Sequence, residues 1–165
     1  MQLHMMSRLS GLPGDGAWPS AYSFPSTIDF TVTMPGQNAT CHTSFANGTL
    51  PVNPAACSGD GNGVRFRMLP YTASVSRRLE TSFVLQVFRV ERDGGGHQSI
   101  TAGEVAITAN EPALPSSYLS CLLSAPLDGV RCHLRYPGSN YKLPEIVAWN
   151  PPLGGVGAIA GQARV

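Results

Sequence analysis

Three stretches of the chain alternate strictly between apolar and polar residues, which is the pattern of a β-strand with one buried face. They are Thr27 to Thr33, Val64 to Leu69 and Gly129 to Tyr136. The residues predicted to face the core are Ile28, Phe30 and Val32 in the first stretch, Val64, Phe66 and Met68 in the second, and Val130, Cys132, Leu134 and Tyr136 in the third.

Further stretches carry weaker strand signals. Ser82 to Glu91 is apolar on both faces, and its β-branched and aromatic content favours a central strand over a buried helix. Ser99 to Thr108 and Glu145 to Trp149 are also predicted as strands, whereas Tyr118 to Leu123 is too short to assign. Six or seven short strands separated by turn signals such as Asp60-Gly-Asn-Gly63 indicate an all-β fold, a small antiparallel β-barrel or sandwich.

These patterns divide the chain into three parts. Residues 27–149 hold every patterned segment and are predicted to form the β-domain. Residues 1–26 show no period and are predicted to be a flexible leader. Residues 150–165 are rich in Gly and Pro, so we expect a disordered tail there.

Composition narrows the range of partners. The 18 glycines and 14 prolines suit short strands joined by turns, and charged residues make up only 13% of the chain. Because the net charge is +1, no global field would draw the protein to nucleic acid or to an anionic membrane. No run of apolar residues is long enough for a transmembrane helix. We therefore expect neither a nucleic-acid partner nor a membrane partner.

Four cysteines, Cys41, Cys57, Cys121 and Cys132, allow two disulfides with three connectivities. Local pairing, Cys41 with Cys57 and Cys121 with Cys132, is the simplest of the three. It would close a turn-rich loop between Cys41 and Cys57 and join the two arms of a hairpin around the turn at Pro126 to Gly129. The alternative is a cytosolic protein with four reduced, buried cysteines. No C-x-x-C occurs, which disfavours a zinc ribbon or a thioredoxin-type site.

Signals of export are mixed. Asn38-Ala-Thr and Asn47-Gly-Thr are sequons, so Asn38 and Asn47 are predicted glycosylation sites if the chain passes through the secretory pathway. The first residues contain no apolar segment of the kind that a signal peptide requires. The predicted location is nevertheless extracellular, with no signal peptide visible in this chain.

The residues that could act in catalysis or bind a metal do not form a recognised motif in the sequence. There is no G-x-S-x-G elbow, and His42, His97 and His133 lack the H-x-x-x-H spacing of a helical metal site. A glycosidase pair would have to be assembled by the fold from the carboxylates Glu80, Glu91, Glu104 and Glu145. We therefore expect no catalytic residue, no cofactor and no metal site.

One set of basic residues is a candidate binding surface. Arg65 and Arg67 lie on the outward face of one predicted strand, and Arg131, His133 and Arg135 lie on the outward face of another. If the two strands pair, these five side chains make a basic stripe that could hold a carboxylate or a phosphate. An ordinary solvent-exposed sheet face is the alternative interpretation.

Several features occur together in a fixed order. An early alternating strand, Ile28 to Thr33, precedes a cysteine-containing loop whose last cysteine, Cys57, leads into Val64-Arg-Phe-Arg. A Ser82-Phe-Val-Leu-Gln-Val strand follows, and the pair Cys121 and Cys132 comes late. In this order, residues 27–149 resemble the Alternaria major-allergen-like family of secreted fungal proteins.

The resemblance implies a compact β-barrel with two intrachain disulfides, secretion, and no established enzyme activity. Members of that family are allergens, elicitors of plant defence, or binders of host defence proteins and small aromatic ligands. The leading hypothesis is therefore a secreted effector-like or allergen-like β-barrel that binds a host protein or a small ligand without catalysis. A small secreted hydrolase and an intracellular β-sandwich interaction module are the alternatives, and the thiol state separates the last from the other two.

Overall fold

The fold is all-β. The computed structural model describes residues 1–13, 16–59, 63–71, 78–92, 94, 98–135, 143–149 and 162–164. Within these ranges there are eleven strands, two single 3-10 turns and no α-helix, and no helix is long and apolar enough to cross a membrane. The strands are β1 Gln2–Met5, β2 Ser26–Met34, β3 Gln37–Phe45, β4 Ala55–Gly59, β5 Val64–Pro70, β6 Ser82–Arg92, β7 Gln98–Ala109, β8 Ser117–Leu123, β9 Val130–Leu134, β10 Glu145–Trp149 and β11 Gln162–Arg164.

Nine of these strands close into a barrel. Each of β2 to β8 pairs with the next strand along the chain, and β1 closes the ring by pairing with both β9 and β2. All of these pairings are antiparallel except the short contact between β7 and β8, which is parallel and shifts register between Thr108 and Ala109. The barrel, rather than the sandwich, is therefore the observed form of the predicted all-β fold.

The two remaining strands, β10 and β11, form a second connection between β7 and β2. Val147 of β10 lies opposite Glu104 of β7, and Arg164 of β11 lies opposite Thr33 of β2. Since β10 and β11 also pair with each other, they link β7 to β2 at a different position from β8, β9 and β1.

The barrel interior is a hydrophobic core. Every predicted inward position in β2 and β5 is buried, and Phe30 packs edge to face on Phe66 with ring centroids 4.8 Å apart. In β9 Cys132 is buried, while Val130 and Leu134 are partly buried against the same core. In β6 Phe83, Leu85 and Val87 are the buried face. The period of two in the sequence therefore identifies the core-facing residues correctly.

The prediction that residues 1–26 form a flexible leader is wrong for its first residues. Gln2–Met5 is a strand of the barrel wall, and both of its inward side chains, Leu3 and Met5, are buried. The chain also approaches β1 closely at Gly129, directly before β9, whose φ is +76° and where a Cβ atom would meet the main-chain carbonyl of Met5. The four residues alternate polar and apolar, but their strand is stable only because β9 and β2 complete its hydrogen bonds.

The segment between Cys41 and Cys57 is not the turn-rich loop that the sequence indicates. Strand β3 continues to Phe45 and β4 begins at Ala55, so the connection is confined to residues 46–54. Threonine, serine and asparagine dominate the polar positions of β3, which hides its strand character in the sequence. Its register against β2 is continuous from Ser26, opposite Phe45, to Met34, opposite Gln37.

The predicted tail is only partly described. Residues 150–161 and 165 lie outside the described ranges, whereas Gln162–Arg164 forms a strand rather than a disordered end. Several other predicted features also fall outside these ranges, namely the turn at residues 60–62, most of the turn at residues 93–96, His97 and Tyr136. The predicted strand at Glu145–Trp149 is confirmed, and the unassigned segment at Tyr118 to Leu123 belongs to a strand.

Candidate functional site

Both disulfides join residues that face each other across a hairpin. Cys41 lies opposite Cys57 on β3 and β4, and Cys121 lies opposite Cys132 on β8 and β9. The local pairing is therefore confirmed, and all four cysteines are bridged. The bridges fix two hairpins of the barrel wall, and the second of these hairpins borders the site described below.

The five predicted binding residues do not form one stripe. Arg65 and Arg67 lie on β5, whose neighbours are β4 and β6, whereas Arg131 and His133 lie on β9, whose neighbours are β8 and β1. Arg135 lies directly after β9. Since β5 and β9 are not adjacent, the pairing that the stripe requires is absent, and that expectation is wrong.

Arg67 belongs to a polar network of its own. Its Nε donates to the Gln86 side chain at 2.8 Å, and Gln86 donates in turn to Glu104 at 2.6 Å. The Arg67 guanidinium also lies 5.1 Å from the centroid of the Phe88 ring. Arg67, Gln86 and Glu104 are directly opposed on β5, β6 and β7, so this network lies on a different part of the outer face from Arg131 and His133.

Arg131 is also paired within the chain. Its Nε and one terminal nitrogen donate to the two carboxylate oxygens of Asp128, at 2.8 and 2.6 Å. These hydrogen bonds hold the pKa of Asp128 at about 2, below its ordinary value. His4 adds a contact on the other side, with its Nε2 at 2.6 Å from the main-chain carbonyl oxygen of Asp128.

The register aligns residues from five strands in two rows on the outer face, and all of them except Leu122 are polar. The first row runs from β8 to β3 and contains Ser120, His133, Gln2, Asp29 and His42, each directly opposite the next. The second row contains Leu122, Arg131, His4, Thr27 and Ser44 in the same strand order. Three of the four histidines of the chain therefore lie on one face.

A cleft lies over β1 in the middle of these rows. Its floor is formed by Gln2, Leu3 and His4 of β1. One wall carries Arg131, Cys132 and His133 of β9, and the other carries Thr27 and Asp29 of β2. The cleft has a volume of about 420 Å³, which lies in the range of ordinary small-molecule sites, roughly 300–1,000 Å³.

Aromatic rings form a cluster at the His4 end of the cleft. The Phe24 ring stacks on the His4 imidazole with centroids 4.5 Å apart and an interplanar angle of 23°. Trp18 packs edge-on against Phe24 at 5.5 Å and donates its indole N–H to the Ser7 carbonyl at 2.9 Å. The segment between β1 and β2 therefore holds the floor of the cleft in place.

The Asp29 side chain at one wall of the cleft is hydrogen-bonded to the neighbouring strand β3. Nδ1 of His42 on β3 lies 2.6 Å from Asp29 Oδ1, and both side chains are more than half exposed. Among the described residues, no group of three or more His, Cys, Asp or Glu side chains is placed to hold a metal ion.

The chain matches no protein-family model, no curated protein and no solved structure. The resemblance to the Alternaria major-allergen-like family therefore stays a prediction.

Three of the four candidate carboxylates of a glycosidase pair are engaged elsewhere. Glu80 is buried, accepts a hydrogen bond from the Gly48 N–H at 2.6 Å, and pairs with Arg78. Glu91 pairs with Arg89 at 2.7 Å, while Glu104 accepts from Gln86. None of these three lines the cleft.

The two sequons differ in their surroundings. Asn38 is exposed at the start of β3. Asn47 is half-buried, and its Oδ1 accepts from the Met6 N–H at 3.1 Å and from the Ser26 hydroxyl at 2.8 Å. Its Nδ2, the atom to which a glycan would be attached, donates to the Phe24 carbonyl at 2.6 Å. Asn47 therefore acts as a polar link between three segments of the fold.

Sequence reasoning missed the cleft because its floor is β1, within the predicted leader. Gln2, His4, Thr27 and Asp29 were not candidates, although the alternation of residues 2–5 is a detectable signal. Of the predicted binding residues, only Arg131 and His133 line the cleft.

Proposed function

We propose that this chain is an extracellular, non-catalytic binding protein of the effector or allergen type, resembling the Alternaria major-allergen-like family. It binds a host protein or a small ligand through the cleft over β1. The observation that carries this proposal is the cleft itself, which three strands line with polar side chains from both walls. A closed barrel with a filled core offers its outer face, rather than its interior, for recognition.

The disulfides support the extracellular part of the proposal. Two cross-strand bridges in one small domain suit an oxidising compartment, because cytosolic reductants keep most thiols reduced. The test is non-reducing peptide mapping of the native protein, comparing cell lysate with medium. Bridged cysteines in the medium are expected, whereas four free thiols in the lysate would leave an intracellular interaction module as the better explanation.

Binding through the cleft is tested with matched variants. The oxidised protein is immobilised and exposed to purified extracellular proteins of the host and to small ligands. His133→Ala removes a side chain of one cleft wall, and Gln2→Ala removes a side chain of its floor. Gln86→Ala is the control, since Gln86 lies on β6 away from the cleft. Loss of binding in the first two variants but not in the control is expected, and equal binding by all three would contradict the assignment of the cleft.

A second function, that of a small hydrolase, is favoured by one observation. The Asp29 carboxylate lies at hydrogen-bond distance from Nδ1 of His42, which is how an acid orients a general base. Such a base would take a proton from a hydroxyl nucleophile through its other ring nitrogen. None of the hydrogen bonds found among the described residues joins that nitrogen of His42 to a hydroxyl group. Hydrolysis of an activated ester that is lost in His42→Ala and retained in His133→Ala would favour this function over simple binding.

A further inference from the structure

We propose that the cleft over β1 selects an uncharged, hydroxyl-rich ligand, namely a short neutral oligosaccharide, rather than an anion or an aromatic compound. This inference rests on the proposed binding function and specifies the ligand class. It is drawn from the charge pairing around the cleft, from the chemistry of its lining and from the alignment of its rows.

Two charged side chains line the cleft, Arg131 and Asp29, and each already has a hydrogen-bond partner within the chain. The Arg131 guanidinium is held by both carboxylate oxygens of Asp128, and the Asp29 carboxylate is paired with His42. An anion would have to compete with Asp128 for Arg131, and a cation would have to compete with His42 for Asp29. Because each of these two side chains is already hydrogen-bonded within the chain, an added ion would have to displace an existing partner, and this disfavours charged ligands.

Three further polar side chains of the lining can both donate and accept hydrogen bonds. Gln2 offers an amide, Thr27 a hydroxyl and His133 an imidazole, and each combines a donor with an acceptor. Sugar hydroxyls have the same dual character, so each can satisfy such a group in either sense. An apolar or aromatic ligand would instead leave these polar groups desolvated without partners, which is costly.

The first row extends beyond the cleft on both sides, to Ser120 of β8 and His42 of β3. Ser120, His133, Gln2, Asp29 and His42 follow each other across five strands. Neighbouring strands are about 4.8 Å apart, so this row extends over roughly 19 Å. Such a row suits an extended ligand with repeated hydroxyl groups. The His4 ring, stacked on Phe24, adds a flat carbon surface at one end of the floor.

The test is a titration of the isotope-labelled full chain, followed by backbone amide NMR. Neutral glucose oligomers and neutral N-acetylglucosamine oligomers are the probes, and oligogalacturonate and citrate are the charged comparisons. We expect neutral oligomers to shift the amides of residues 2–4, 27–29 and 131–133. We expect the affinity to change by less than about twofold between low and high salt, because screening acts on charged ligands.

Variants test the role of the lining. Gln2→Ala and His133→Ala should each weaken the neutral oligomer by about fivefold, the loss expected for one hydrogen bond. Gln86→Ala removes the same amide from β6 and should leave the affinity unchanged. Amide shifts elsewhere in the spectrum show whether a variant has kept its fold.

Four results would overturn the inference. Binding only of oligogalacturonate or citrate, lost at high salt, would identify an anion site and leave the proposed binding function intact. Binding of an aromatic compound in the same cleft would show that the ligand class is wrong, and it would also leave the proposed binding function intact. If no small ligand shifts the cleft amides while a host protein does, the ligand class is wrong and the binding function survives. If neither a small ligand nor a protein engages these amides, both proposals fail.

Discussion

Replacing Asn47 with alanine tests whether a polar residue outside the core holds the barrel together. Asn47 lies in the connection between β3 and β4, and its side chain joins that connection to the end of β1 and to the segment before β2. Alanine removes the Oδ1 acceptor used by the Met6 N–H and the Ser26 hydroxyl. It also removes the Nδ2 donor to the Phe24 carbonyl.

The expected cost follows from these three hydrogen bonds. Each contributes a net 0.5–1.5 kcal/mol or so to stability, and a buried partner left unsatisfied costs more, about 1–3 kcal/mol. Ser26 is only 1% exposed, whereas Asn47 is half-buried, so water can replace part of the loss. We expect a decrease of about 2–3 kcal/mol in the free energy of unfolding, a large part of the roughly 5–15 kcal/mol of a typical domain.

Equilibrium unfolding in urea with both disulfides intact measures this decrease. For a slope of about 2 kcal/mol per molar, the midpoint should fall by about 1 M. Asn38→Ala is the matched control, because Asn38 is also a sequon asparagine but is exposed on β3. It should change stability by less than about 0.5 kcal/mol. Equal midpoints for the two variants would refute the role assigned to Asn47.

Three further predictions concern modification, the disulfides and pH. When the protein is expressed through a eukaryotic secretory pathway, its folded form should carry a glycan at Asn38 and none at Asn47. A glycosidase shift assay and peptide mapping measure this, and a glycan on Asn47 of the folded protein would contradict it. Replacing both Cys121 and Cys132 with alanine should lower the free energy of unfolding by about 3 kcal/mol, which is the loop-closure value for two cysteines separated by 11 residues. An unchanged urea midpoint would argue against this prediction. Because Arg131 lowers the pKa of Asp128 to about 2, this pair stabilises the fold above pH 4 or so, and its contribution is lost as the pH falls towards 2. In Arg131→Gln the Asp128 pKa, measured by NMR titration of its carboxyl carbon, should rise towards the ordinary value, and an unchanged pKa would contradict the assigned cause.

Local signals in the sequence determined much of the fold. Alternation of apolar and polar residues identified β2, β5 and β9 and their inward faces, because a strand places successive side chains on opposite sides. The cysteine spacing around the turn at residues 126–129 indicated that Cys121 and Cys132 lie opposite each other, since a hairpin pairs residues close in sequence. These features depend only on short stretches of chain.

The closure of the barrel and the site depended on the tertiary structure. Gln2–Met5 is too short to be stable alone, and it becomes a strand only between β9 and β2, which lie far from each other in the sequence. Closure brings His133 next to Gln2 and Gln2 next to Asp29, although these residues come from three distant parts of the chain. It also keeps β5 away from β9, which separates the arginines that the sequence grouped together. Which strands become neighbours is decided by burying all the inward faces in one core, and that is a property of the whole chain.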